Sequence, residues 1–137
     1  MSASSRLADA RLLWEQGRKE GAFLSLLVAL AATARRRFPD FKDREAFERF
    51  IASSYPMILS VEYRGHVEPV EHILYKWFRC ELVHEGGLPF DIAIMKDTEP
   101  HVLSVRAGGG PKFVLKLSES WFWHLFAAVD KAPENAS

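Results

Sequence analysis

The sequence predicts an α+β fold, mainly α: a helical bundle with a small antiparallel β-meander inserted before the last helix. Three observations predict it. Apolar residues recur at helical spacing through most of the first 85 residues. After Pro89 the period switches to strict alternation. The helical period then returns in SESWFWHLFAAVDKA (118–132). A chain of 137 residues with 48% apolar and 26% charged residues fits one globular domain with a sizeable core. That domain is expected to span residues 1–132, with 133–137 as a frayed tail.

Each element has its own signal. Ser4 or Ser5 can cap a first helix reaching about Gly17, with Leu7, Leu12, Leu13 and Trp14 as its inward stripe. The second helix, from about Glu20 to Arg37, is apolar on nearly all sides between Ala22 and Ala34. That is the signature of a helix at the centre of a bundle, and Pro39 ends it. DREAFERFIASS (43–54) reads as a third helix, capped by Asp43 and closed by Pro56. Val61 and Tyr63 before Arg64-Gly65 suggest a hairpin, and Pro69 suits the first turn of the next helix. That helix stops at Gly86-Gly87. Residues 90–96, 101–107 and 112–117 form the meander, with AGGGPK (107–112) as a hairpin turn rather than a phosphate loop, because no helix or Gly-Lys-Ser/Thr ending follows it. A serine at the start of 118–132 caps the last helix.

Composition excludes several classes. Eighteen basic residues balance eighteen acidic ones, so nucleic acid is not attracted by overall charge and any such contact needs a local patch. The lone Cys80 precludes an intrachain disulfide and suits a reducing compartment. The run GAFLSLLVALAATARRRF (21–38) imitates a signal peptide. However, a long amphipathic segment precedes it, three arginines follow it, and it is too short to span a bilayer. The expectation is a cytoplasmic protein without membrane contact.

Few residues suggest chemistry. His66, His72, His101 and His124 have no second ligand at useful spacing, so neither a metal site nor any other cofactor is expected. His72 reads as part of a solvated helix face, His124 as a core or edge residue, and Cys80 as a buried free thiol. Arg79 and His84 remain, on one helix and near its end. On a wheel of about 100° per residue they lie about 140° apart, with Arg79 on a polar flank and His84 in line with Ile73, Trp77 and Cys80. They can share a site only if the helix distorts near Gly86 or if two chains meet about a two-fold axis. Free carbonyls of the last turn, with Glu81 and Glu85, place negative potential beside His84, which suits a side chain that gives and takes protons.

LYKWFRCELVHEG (74–86) resembles the HEPN superfamily, which carries an arginine, four to six residues and a histidine near the end of a bundle helix. Arg79 and His84 occupy those positions, and the helices within 5–87 and 118–132 resemble the bundle. The resemblance implies a metal-independent endoribonuclease, toxin- or defence-like, acting as a homodimer. A two-fold arrangement of the 69–85 helices lets each chain contribute from its own side, and Tyr75 and Trp77 are large aromatics suited to the centre of that interface; the competing account is a monomer in which Trp77 is core and His84 bonds a nearby carbonyl or carboxylate. Cleavage by the RNA's own 2′-hydroxyl would use paired His84 side chains as base and acid, and paired Arg79 side chains to hold the phosphorane. Tyr75, Cys80, Glu81 and Glu85 would support the site. Arg35, Arg36, Arg37 and Lys76 would contact RNA phosphates, although the three arginines also suit a solvated helix end. A cognate antitoxin protein is an implied partner. Active members usually have Asn, Asp or His directly after the arginine, where this chain has Cys80. That departure motivates a second expectation, a non-catalytic protein-interaction or nucleotide-binding module.

Overall fold

The computed structural model describes residues 2–56, 58–97, 99, 102–107 and 114–135. Five helices and two small sheets make up the described chain, an α+β fold that is mainly α. Helix α1 spans Ala3–Glu15, α2 Lys19–Arg37 and α3 Asp43–Ala52. The hairpin strands β1 and β2 are Ser60–Tyr63 and His66–Pro69. Helix α4 covers residues 70–84 and passes from α (Val70–Ile73) through π (Leu74–Cys80) back to α (Glu81–His84). Strands β3, β4 and β5 are Ile92–Met95, Val105–Arg106 and Leu115–Ser118, and α5 is Ser120–Asp130.

Helix α2 lies at the centre, as its all-round apolarity requires. Ala22, Phe23, Leu26, Leu27, Ala29, Leu30 and Ala34 are fully buried. Small residues between the leucines let α1, α3 and α4 approach closely, and Phe23 reaches Phe78 of α4 and Phe122 of α5. The centroid separation is 5.4 Å in both pairs. From α3, Phe47 and Phe50 complete the core, and Phe47 meets the ring of Tyr75 edge-on.

The helix starts differ from the sequence expectation, each for a local reason. Ser2, not Ser4 or Ser5, caps α1 by accepting the Ser5 amide. Asp43 is the first residue of α3, and the capping position is Lys42, without a side-chain bond. Ser118 belongs to β5 rather than capping α5. Asp97 reaches across from the loop after β3 and accepts the Ser120 amide at 2.8 Å. A side chain distant in sequence thus satisfies a free N–H of the first turn.

The second sheet departs from the predicted meander. Its order is β3-β5-β4, with β3 parallel to β5 and β4 antiparallel to it. The three strands exist, but the chain crosses from β3 to the far side of β5 before returning. The predicted turn at 107–112 and residue His101 fall largely or wholly outside the described residues. The tail is also not frayed as far as Asn135. Pro133–Asn135 forms a 3-10 turn, Glu134 takes two bonds from Arg37, and Asn135 donates to Thr33 and to the Val129 carbonyl.

Candidate functional site

The π segment of α4 covers Leu74–Cys80 and so ends just past Arg79. Bonding of i to i+5 widens the turn, and such segments are rare and often sit at functional positions. The wider turn brings Tyr75 beside Cys80, five residues on. Burial first, and then the nearby thiol, push the Tyr75 phenol up. The expected distortion therefore lies in the middle of the helix. At the expected place the helix ends in an ordinary way, with Gly86 in the left-handed conformation at φ 77°.

Arg79 is half-buried and stacks its guanidinium 5.7 Å from the centre of the Tyr75 ring. Its Nε is buried with no hydrogen-bond partner, and among the described residues the side chain has no ion pair. His84 is exposed in the last turn of α4, as are Val83 and Glu85. No hydrogen bond joins Arg79 to His84, so one chain does not assemble the pair. Glu81 is half-buried on the same turn, and Cys80 is free and half-buried rather than fully enclosed.

The other predicted site residues are distributed as follows. Arg37 forms a two-pronged pair with Glu134 and lies over the Phe50 ring. The Glu134 carboxylate consequently holds the Arg37 guanidinium more firmly protonated, and Glu134 falls below the usual carboxylate range. Arg36 donates to Asn135 at 3.2 Å, and Arg35 stands 3.8 Å from Asp43 with both side chains more than half exposed. Lys76 is exposed beside Trp77. Tyr75 and Trp77, expected at the centre of a dimer interface, are engaged within their own chain. Tyr75 packs on Phe47, and Trp77 packs against both the Tyr63 ring and the Arg64 guanidinium, which also touch each other.

Two polar clusters were not legible in the sequence. His72 is half-buried, not solvated, and lies 3.4 Å from Glu48 and 3.8 Å from Glu68. Asp91, 7% exposed, accepts the Tyr63 hydroxyl at 2.6 Å and both arms of Arg64 at 2.8 and 2.9 Å. The Arg64 guanidinium, outweighing burial, holds the Asp91 carboxyl below its usual range. His124 is half-buried against Ser54, and burial lowers its affinity for a proton. Among the described residues no group of three His, Cys, Asp or Glu side chains could hold a metal ion, and no helix is long and apolar enough to cross a membrane.

An apolar groove of about 650 Å³ runs along α1, α2 and the end of α4. It is lined by Leu12, Leu13, Leu24, Val28, Leu82 and Val83, with Arg6, Asp9 and Ser25 at one end. Leu12, Val28 and Val83 remain 57%, 40% and 50% exposed, so most of the groove is exposed apolar surface, and Val83 adjoins His84 in the chain.

No curated protein and no solved structure matches this sequence. A protein-family comparison does: residues 3–137, nearly the whole chain, match the family described as Rv1289, and the chain belongs to the Rv1289 family.

Proposed function

We propose that the chain is a metal-independent endoribonuclease of HEPN type, active as a homodimer, with Arg79 and His84 as its catalytic residues. The observation that carries this reading is the state of Arg79. A half-buried guanidinium with an orphaned Nε and no carboxylate among the described residues is a site prepared for an anion. A phosphate of RNA supplies that anion. His84, exposed on the next turns, takes the 2′-hydroxyl proton as that oxygen attacks phosphorus. A cyclic phosphate forms, the P–O5′ bond breaks, and the partner's His84 protonates the departing 5′-oxygen. The separation of Arg79 from His84 within one chain is the reason two chains are needed.

The dimer seam in this reading is the groove of Leu12, Val28 and Val83 rather than the Tyr75–Trp77 face, because those aromatics are already occupied. Contact about a two-fold axis along the groove brings both His84 side chains to the seam. Lys76 is left to meet a phosphate on α4 itself, whereas Arg37 is held by Glu134, and Arg35 and Arg36 lie at the end of α2 remote from His84, since the end of α4 meets the start of α2 at Glu20.

The test is RNA cleavage in EDTA. The wild type should cleave, and Arg79→Ala and His84→Ala should each lose about a thousandfold in rate while keeping the wild-type circular dichroism. Sedimentation at micromolar concentration should show a dimer that Val83→Glu splits, with loss of cleavage. Unchanged activity in both alanine variants, or an active monomer, overturns the reading.

A second reading is favoured by a specific arrangement: Cys80 follows the arginine, and Arg79 and His84 do not meet. On this reading the chain is a non-catalytic interaction module that binds a partner protein through its apolar surfaces. It prevails if the folded wild type cleaves no RNA and Arg79→Ala lowers stability instead.

A further inference from the structure

The two small sheets each turn an edge that no other described strand pairs toward one cleft. Among the described residues strand β1 pairs only with β2, and β4 is the outermost strand of the order β3-β5-β4. A cleft of about 390 Å³ lies between them, lined by Leu59, Ser60 and Val61 on one side and Leu103, Ser104, Val105 and Arg106 on the other, with Val70 at its base.

The registers show which backbone groups face outward. Tyr63 and His66 close a two-residue hairpin, and Val70 donates to the Leu59 carbonyl at 2.9 Å. Residues 59, 61 and 63 therefore turn their N–H and C=O groups toward β2, and Ser60 and Glu62 turn theirs away. On β4, Ser104 accepts the Ser118 amide, and the register places Arg106 opposite Lys116. Leu103 and Val105 consequently direct their backbone groups away from β5. Two half-ladders of donors and acceptors, unpaired among the described residues, thus flank one slot lined by Leu59, Val61, Leu103 and Val105.

We propose that this slot is a docking site for an extended peptide segment of a partner protein, which adds a strand between β1 and β4 and joins the two sheets into one. Main-chain bonds would hold the strand, and alternate apolar side chains would pack on the walls. Arg106 is exposed and has no ion pair among the described residues, so the occupant carries a carboxylate where the strand passes it. The occupant is not a second folded copy. A strand entering between two edges needs both of its own edges free, and every described strand of this chain already has one edge paired. This inference concerns a surface separate from Arg79 and His84 and stands independently of the nuclease reading.

The probes are four fluorescein-labelled peptides of eight residues, alternating threonine with valine, isoleucine, leucine or phenylalanine and ending in aspartate. At least one should bind the full chain saturably and slow amide exchange at Ser60 and Val105 about tenfold or more. Ser60→Pro removes one outward N–H without touching a β1–β2 bond, and it should weaken binding about tenfold. N-methylating alternate peptide amides should abolish binding, and Arg106→Ala should weaken binding of the aspartate peptides but not of their asparagine counterparts. The proposal is overturned if no peptide slows those amides at millimolar concentration, or if binding ignores both Ser60→Pro and N-methylation. Protection already present in the free protein, with doubled mass, overturns it in favour of self-association.

Discussion

Replacing Phe122 by alanine is expected to destabilise the fold by about 4 kcal/mol. Phe122 is fully buried and stacks on Trp14 with centroids 4.2 Å apart and planes 12° apart. It also meets Phe23, Trp123 and Phe126, so its ring joins α1, α2 and α5 at one point. Truncation removes the transfer free energy of the ring and leaves a cavity walled by other aromatics, which cannot collapse without breaking their own contacts. The neighbouring Trp123 is 39% exposed, and its truncation should cost less, about 2–3 kcal/mol, because water already reaches part of the ring and leaves no closed cavity. Urea denaturation separates the two variants: the Phe122→Ala midpoint should fall sharply at an unchanged slope. A loss below about 1 kcal/mol would mean that the ring does not unite the three helices.

The same residues show why the fold was legible. Helix α2 could be placed at the centre from sequence, since only a helix covered on all sides can afford leucine, phenylalanine and alanine around its whole circumference. The hairpin was legible because Arg64 and Gly65 both take positive φ, at 51° and 82°, and glycine marks such a turn. What escaped was non-local. Strand pairing within 92–118 depends on which edges meet after collapse, and alternation alone gives strands without giving their order. Glu134 and Asn135 look like solvated tail residues until Arg37 and Thr33, roughly 100 positions earlier, come beside them.

The candidate site was legible to a lesser degree. Arg79 and His84 could be named because they stand at one spacing on one helix, and their divergence followed from a wheel of constant pitch. The π segment is invisible to such a wheel, because it changes the pitch without leaving a residue signature. The two-fold arrangement that would reunite the pair also put Tyr75 and Trp77 at an interface, for want of known partners. Phe47 and Tyr63, which occupy them, lie on elements whose packing no local pattern reveals.

Asp91→Ala is expected to destabilise the protein by about 3 kcal/mol, more than removal of either of its partners. The ion pair with Arg64 is the smaller part, since the Arg64 side chain is 42% exposed and water screens it. The larger part is the Tyr63 hydroxyl. Tyr63 is 2% exposed, and without Asp91 its O–H loses its acceptor in a place water scarcely reaches. Tyr63→Phe should therefore cost about 1 kcal/mol, Arg64→Ala about 2 kcal/mol because it leaves the largely buried Asp91 carboxylate without its counter-charge, and the double change Tyr63→Phe with Asp91→Ala less than the sum. Asp91→Asn, which keeps an acceptor for Tyr63, should fall between the wild type and Asp91→Ala. The pH dependence follows from the direction of the Asp91 shift. Its carboxyl is held below the ordinary value of 3.8, so the unfolded chain takes up the proton first as pH falls. The Asp91 contribution is fully present above that value and is lost as pH drops through the folded one. Denaturation midpoints of the wild type and Asp91→Asn should thus differ most at neutral pH and converge in acid below 3.8. A difference that stays constant, or grows with acidity, would show that the hairpin and the loop before β3 are held together by something other than this carboxylate.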